Sequence, residues 1–249
     1  MQEIIPLFKT HYSLGKSILN LDLTDSPPDE SDSVFSILKN NNLKDLVLVE
    51  DCMTGFLEAY NNANEHEVKL IFGLRITICL DMEDKSKESL KTNSKIIIFA
   101  RNNDGYKKLI KIFSLAARKG FYYEPRIDYK NLKNAWDNSG LTLAIPFYDS
   151  YVFKNTLENN ICVPELDFTT PTYFLEDNDL PFDNLIQQKV INISDKTQRV
   201  QSVYYRNKKD FKAYLTFKCI NKRSTLDKPE LDHMTSDEFC MEGWKEKIS

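Results

Sequence analysis

Short apolar runs, each followed by a stretch with helical spacing, most limit what this chain can fold into. The runs are rich in Ile, Val, Leu and Phe and mostly lack the polar alternation of a strand that has one face in water. Strands that alternate with helices are typical of an α/β fold in which helices cover the sheet. We therefore predict buried strands over residues 46–49, 70–78, 95–100 and 141–147.

Segments between these runs have the spacing of amphipathic helices. One follows Asp32 as its N-cap and ends in the asparagines at 40–42, and another covers residues 55–67. The clearest begins near residues 103–104 and is ended by Gly120. We interpret the cations on its polar face as solvated rather than as a nucleic-acid contact: Lys107, Lys108, Lys111 and Arg118.

The length fits one to two folded domains, and we expect a single domain over residues 1–249. With 41% hydrophobic and 28% charged residues, the chain is unlike disordered or collagen-like proteins. We expect the part from 165 to 249 to be partly irregular, and Pro164, Pro171 and Pro181 to exclude a long helix near its start. The polar stretches 22–33 and 81–94 are predicted loops.

Charge and cysteine content exclude several classes of protein. A formal net charge of -4 argues against a surface that binds phosphate backbones throughout, so we expect direct nucleic-acid binding to be weak or absent. The five cysteines are odd in number and form no CxxC pair, which fits a reducing cytoplasm and predicts neither a disulfide framework nor a cysteine zinc site. The chain lacks a signal-peptide pattern and a run of roughly 18 apolar residues, so we expect no membrane contact.

Several strings, in chain order, resemble one known family. The most specific is FARNNDGYKKLIKIFSLAARKGFYYEPRID at 99–128. The others are LFKTHYSLGKS at 7–17, VLVEDCMTGFLEAY at 47–60, VKLIFGLRITI at 68–78 and DFKAYLTFKCINKRSTLDKPE at 210–230. Together they resemble the PHP domain at the N-terminus of the alpha subunit of bacterial DNA polymerase III.

The resemblance implies a fold and two partners. The expected fold is a distorted TIM-like (β/α)7 barrel of parallel strands, with the functional site at the C-terminal strand ends. In the family, this domain packs on the polymerase core and offers a docking surface for the proofreading exonuclease. The implied partners are therefore the polymerase core polypeptide and that exonuclease.

Active members of the family are similar to trinuclear metallohydrolases, in which His and carboxylate side chains hold divalent ions. The resemblance places Leu7 and Lys9 at the His-x-His ligand positions and Arg75 at an acidic one. Leucine has no lone pair, and protonated lysine and arginine only donate hydrogen bonds. A second acidic position falls near Lys16.

The remaining ligand positions are mostly lost as well. A later cysteine position falls on Phe147, and an Asp-x-His pair falls on Ser202 and Tyr204. The Asp-His pair falls either on Val49 and Glu50 or, with one deletion, on Glu50 and Asp51, and both registers stay open. We expect no metal, no other cofactor and no catalytic residue.

Two hypotheses concern the charged residues at these positions. Lys9, Arg75 and Lys16 are expected to form an ion-pair plug with Glu50 or Asp51 at the barrel mouth; the alternative is that these side chains point to solvent. Arg126 is interpreted as an anchor either for a phosphate or for neighbouring loops. The histidines His11, His66 and His233 are interpreted as structural or surface residues rather than ligands.

The sequence therefore predicts a catalytically inactive PHP domain of a replicative DNA polymerase III alpha-like enzyme, with a scaffolding role. Two alternatives stay open. One is a metal-dependent phosphoesterase or exonuclease. The other is a phage protein that binds a host replication factor.

Overall fold

The computed structural model describes residues 3–23, 32–226 and 236–249. Within these ranges the strands are β1 (Ile5–Phe8), β2 (Asp45–Glu50), β3 (Lys69–Cys79), β4 (Ser94–Ala100), β5 (Arg126–Asp128), β6 (Leu141–Ile145), β7 (Thr172–Leu175) and β8 (Thr197–Val203). The helices are α1 (Val34–Asn40), α2 (Phe56–Glu65), α3 (Asn103–Arg118), α4 (Tyr129–Ala135), α5 (Tyr151–Leu157), α6 (Asp183–Ile193), α7 (Phe211–Lys222) and α8 (Met241–Ile248). None of the helices in the described ranges combines the length and apolarity that a membrane span requires.

Seven of these strands close into a barrel in the order β2-β1-β8-β7-β6-β4-β3, and β2 pairs with β3 to complete the ring. The predicted seven-stranded α/β barrel is thus confirmed. β5 lies outside the ring and pairs in parallel with the far end of β3, where Thr77 is opposite Arg126. Closure leaves the barrel strands without free edges, and the segments that follow the six mutually parallel strands β1, β2, β3, β6, β7 and β8 leave the barrel at one end.

One strand breaks the expected parallel arrangement. β4 runs antiparallel to both of its neighbours, β3 and β6. The predicted all-parallel barrel is wrong at this strand because the segment between β3 and β4 contains only a short 3-10 helix, Glu88–Thr92, instead of a crossover α-helix. Residues 81–94, expected to be a loop, contain that helix and the first residue of β4.

The C-terminal third is more regular than the prolines indicated. β7 lies between Pro171 and Pro181, inside the stretch for which we expected irregular structure, and α6, β8, α7 and α8 follow it. Proline excludes a helix interior, but it does not exclude a short strand between two prolines. The predicted loop at 22–33 lies largely outside the described residues.

Helix boundaries follow local capping chemistry. α1 is capped by Ser33, not Asp32, because the Ser33 hydroxyl accepts the Ser36 N–H at 3.2 Å. α3 is capped by Asn102, whose side chain accepts the Gly105 N–H at 2.8 Å. The helix ends at Arg118, shortly before Gly120, as predicted.

Two separate apolar clusters stabilise this architecture. The larger one lies between the sheet and the helices and includes Leu48, Leu74, Leu109 and Ile112. The smaller one fills the barrel interior with side chains from six strands: Leu7, Val49, Ile97, Ala144, Phe174 and Val200. A Cβ at Gly73 would lie 2.6 Å from the Phe99 ring, so this glycine leaves space in β3 for the interior aromatic side chain.

Gly105 allows α3 to approach the segment before β6. An added Cβ would lie 1.9 Å from the Gly140 carbonyl oxygen. Gly→Ala in a helix normally stabilises by about 0.5–1 kcal/mol, but here the clash reverses the sign. We expect Gly105→Ala to lower the free energy of unfolding by about 1–3 kcal/mol, measured by urea unfolding. Ser114→Ala on the exposed side of α3 is the matched control, and a stabilised Gly105→Ala would contradict the close approach.

Candidate functional site

The C-terminal ends of the barrel strands form a mouth that is filled by charged side chains. Lys9 follows β1, Asp51 follows β2, and Arg75 lies within β3. In β2 the interior residue Val49 is followed two positions later by Asp51, so strand alternation directs Asp51 to the interior side and Glu50 to the helix side. The side chains in the barrel interior thus change from apolar to charged at the mouth.

Asp51 is the centre of this arrangement. The Lys9 Nζ lies 2.8 Å from Asp51 Oδ1, and Arg75 Nη1 lies 3.8 Å from the same oxygen. Burial by itself would raise the pKa of Asp51, but the charges of Lys9 and Arg75 outweigh it and hold that pKa well below its usual range. The carboxylate is therefore ionised and neutralised by cations of the chain itself.

Arg75 extends the network to the loop after β6. Its Nη2 lies 2.5 Å from Asp149 Oδ2, and only about a tenth of the arginine side chain is exposed. Burial opposes the charged guanidinium, but Asp149 and Asp51 outweigh that effect and raise its pKa. Asp149 has a left-handed backbone with a φ of 60°, a conformation that aspartate adopts more readily than most residues.

Beside this network lies a cleft of about 220 Å³. Lys16, predicted to belong to the plug, lines it together with Asp51, Arg75 and Asp149. Lys95 of β4 lines it as well and forms an ion pair with Glu124 at 2.5 Å. The cleft is thus lined by three basic and three acidic side chains, so neither sign of charge is in excess.

Glu50 has a different environment from Asp51. It is fully buried and accepts hydrogen bonds from the Thr10 N–H at 2.9 Å, the Thr10 hydroxyl at 2.6 Å and the Ser13 hydroxyl. Burial raises its pKa, although Lys9 and these hydrogen bonds oppose the rise. Ser13 Oγ also accepts the Asp51 N–H at 2.8 Å. Through Ser13, Glu50 therefore attaches the turn at residues 12–14 to the end of β2.

A second buried carboxylate lies across the mouth and was not predicted. Glu176, directly after β7, accepts the Ser202 N–H at 3.0 Å and the Ser202 hydroxyl at 2.9 Å. Burial raises its pKa, and hydrogen bonds from Ser202 and Asn178 oppose the rise. Glu176 and Ser202 line a small interior cavity together with Lys9, Arg75 and Tyr204. The missed signal is an acidic residue immediately after a strand, and the flanking prolines hid that strand.

The other predicted positions are placed as follows. Leu7 belongs to the interior apolar cluster, whereas Phe147 is fully buried in the cluster between sheet and helices. Phe147 therefore lies away from the mouth, and its neighbours Pro146 and Tyr148 line the interior cavity instead. Tyr204 stacks on Phe239, with 5.6 Å between ring centroids.

Arg126 lies away from the mouth as well. It is fully buried and donates to Asp84 O at 2.7 Å, Ser89 Oγ at 3.1 Å and Gly120 O at 3.3 Å. These contacts tie the end of α3 to the segment between β3 and β4. Of the two roles considered for Arg126, they support the loop anchor.

The histidines contribute nothing to the mouth in the part of the chain that the structure describes. His11 is exposed and stacks on Tyr12, with 4.5 Å between ring centroids. His66 ends α2 and stacks on Phe35 at 5.3 Å. His233 lies outside the described residues.

These residues do not fit a trinuclear metal site. At Lys9, directly after β1, and at Arg75, within β3, where the resemblance places ligands, the side chains are an ammonium and a guanidinium that only donate. Within residues 3–23, 32–226 and 236–249, no group of three or more His, Cys, Asp or Glu side chains is arranged to hold a metal ion.

Comparisons with known proteins agree with this fold. A family model described as PHP domain matches residues 29–160. Over 81 residues the chain is 37% identical to the DNA polymerase III subunit alpha of Helicobacter pylori, which covers 32% of this chain and 7% of that protein. It is 24% identical over 200 residues to the corresponding subunit of Thermus aquaticus, covering 74% of this chain and 16% of that protein. The chain thus matches only a small part of each of these relatives.

The depressed pKa of Asp51 predicts how stability depends on pH. A carboxyl with a lower pKa in the folded state stabilises the fold above its unfolded pKa of about 3.9, and this contribution is lost as the pH falls further. We expect Asp51→Asn to cost about 2–3 kcal/mol at pH 7, slightly less than a fully buried ion pair because 27% of the side chain is exposed. The cost should shrink on acidification toward pH 3.

The measurement is urea unfolding of wild type and variant across that pH range. Asp104→Asn is the matched control, because Asp104 is a carboxylate that is 82% exposed in its ion pair. A cost for Asp51→Asn that equals the control, or that does not change with pH, would contradict the ion-pair description.

Proposed function

Because the chain belongs to the PHP domain family, we propose that it is a catalytically inactive PHP module of a replicative polymerase related to DNA polymerase III alpha. Its role is to hold other replication proteins rather than to hydrolyse phosphate esters. In this proposal residues 1–249 form one domain.

The observation that carries this proposal is the pairing of Asp51 with Lys9 and Arg75. A hydrolytic metal centre needs anionic and neutral ligands that together attract divalent cations. At this mouth two covalently attached cations already neutralise the carboxylate, and they repel a divalent ion that approaches it. The same residues that disfavour metal binding therefore stabilise the strand ends.

The geometry also favours a scaffold over a hydrolase in a second way. The network links the residues that directly follow β1 and β2 with the middle of β3 and the loop after β6. Direct ion pairs join Lys9, Asp51, Arg75 and Asp149. Such a cross-link makes the mouth rigid, and a rigid surface loses little conformational entropy when a partner binds. The partners we propose are a polymerase core polypeptide and a proofreading exonuclease.

The absence of hydrolysis is directly testable. We expect the purified chain to show no turnover of a phosphodiester such as p-nitrophenyl thymidine monophosphate, or of single-stranded DNA ends, with Mn²⁺ or Zn²⁺. Metal analysis should give well below one ion per chain. Stoichiometric metal together with turnover would overturn the proposal and support the phosphoesterase alternative.

A gain-of-ligand variant is the matched control for that assay. In Lys9→His/Arg75→Glu, neutral and anionic ligands replace the cations beside Asp51. We expect this variant to bind Mn²⁺ measurably more tightly than wild type by calorimetry. Equal affinity of the variant and the wild type for Mn²⁺ would show that Lys9 and Arg75 do not occupy the positions of metal-ligating side chains.

The scaffolding role is tested by co-expression with the polymerase chain of the same genome. We expect the two polypeptides to co-elute in size-exclusion chromatography and the complex to recruit the cognate exonuclease. Elution of this chain with a host replication protein, but not with a cognate polymerase, would instead support the phage-protein alternative.

A further inference from the structure

A groove on the outer surface of the barrel lies between α2 and α3 and has a volume of about 320 Å³. We call it the α2–α3 groove. Its aromatic side chains are Phe56, Tyr60, Phe72 and Tyr106, and its cations are Lys69 and Arg101. Lys69 is the first residue of β3 and Arg101 follows β4, so the groove lies toward the end of the barrel opposite the mouth.

The aromatic side chains form a continuous wall. Phe56 stacks on Tyr106 with 3.8 Å between ring centroids, and Tyr60 stacks on Phe56 at 5.8 Å. Phe72 of β3 contacts Phe56 edge-on, with 5.0 Å between ring centroids, and so connects the aromatic cluster to the sheet. Tyr60 is 46% exposed, so part of this wall faces solvent. Exposed aromatic side chains held by packing are typical anchors for protein partners.

Two cations, Lys69 and Arg101, lie at the end of the groove that is farthest from the mouth. The antiparallel pairing of β3 with β4 places Lys69 and Arg101 at the same end of the two strands. Both side chains are exposed, and neither forms an ion pair with any residue that the structure describes. Among the described residues that line the groove, none is acidic. This differs from the mouth, where the chain supplies its own counter-charges.

We propose that the α2–α3 groove binds a short acidic segment of a partner protein. An aromatic or aliphatic side chain of that segment packs against Tyr60 and Tyr106, and its carboxylates pair with Lys69 and Arg101. The combination of an apolar anchor with charge complementarity sets both affinity and orientation. Arg101 offers the bidentate geometry that carboxylates favour.

The observations favour an acidic peptide over a nucleic acid. Grooves for single-stranded DNA carry cations along several successive phosphates, whereas this groove has two cations at one end only. The chain as a whole has a formal net charge of -4, which repels a polyanion. A short segment with one or two carboxylates meets much less of that repulsion.

The test uses the 249-residue chain and a fluorescein-labelled peptide with two acidic side chains, Ser-Asp-Phe-Leu-Glu-Ser, in fluorescence anisotropy. A counterpart with lysine in place of every acid is the charge control. We expect the acidic peptide to bind and the lysine peptide not to bind. Tyr60→Ala and Arg101→Glu should each weaken binding about tenfold.

Matched variants outside the groove separate a specific site from general effects. Tyr123→Ala removes an aromatic side chain that is 74% exposed, and Lys111→Glu reverses an exposed cation of α3. We expect both to leave binding unchanged. Circular dichroism and thermal unfolding of all four variants check that each is folded, which we expect because surface substitutions rarely cost much stability.

Several outcomes would overturn the proposal. They are failure of the acidic peptide to bind with a dissociation constant below about 1 mM, equal binding of both peptides, and equal weakening by the control variants.

Tighter binding of a labelled twelve-nucleotide thymidine oligomer that is lost in Tyr60→Ala would assign the groove to nucleic acid. A dimer that dissociates in Tyr60→Ala would assign it to a second copy of the chain. Each of these results leaves the proposal of catalytic inactivity unaffected, because the groove and the mouth share no residue.

Discussion

A carboxylate enclosed at the end of a barrel must be neutralised, and the rest of the mouth follows from how Asp51 meets this requirement. Desolvation of an unpaired anion would cost several kcal/mol, so the surrounding strand ends must supply positive charge. They do so with Lys9 from β1 and Arg75 from β3, and Arg75 in turn requires Asp149. The positions of four side chains on different strand ends and loops are thereby coupled to one another.

The two ends of the barrel treat charge in opposite ways. At the mouth, cations and carboxylates pair within the chain, and the buried acids Glu50 and Glu176 are satisfied by hydroxyl and amide donors. Toward the other end, Lys69 and Arg101 face solvent beside an aromatic wall. Internally paired charges stabilise the fold, whereas unpaired charges next to apolar surface are available to a partner. This division is consistent with a domain that holds proteins instead of transforming a substrate.

Much of the fold could be predicted from the sequence, and the failures have physical causes. The long apolar runs became β2, β3, β4 and β6, because a strand covered on both faces needs continuous hydrophobicity. β1 and β7 were missed because four residues are too few to show a period, and β8 was missed because its seven residues are mostly polar. The direction of β4 could not be predicted, because it depends on how a polar segment without an α-helix connects two strands.

The site was only partly accessible to the same reasoning. Lys9, Arg75 and Asp51 were identified through their positions in a motif, but the choice between Glu50 and Asp51 needed the alternation of β2 inside a closed barrel. Asp149, Lys95, Glu124 and Glu176 were missed because each is brought to the mouth by tertiary structure. Phe147, one residue from Pro146 and Tyr148, shows how a shift of one position moves a side chain from the interior cavity to the core between sheet and helices.

The ion pair between Lys9 and Asp51 also has a consequence for folding. Because both charges belong to one polypeptide, the mouth is neutralised in a unimolecular folding step that requires no ion to bind from solution.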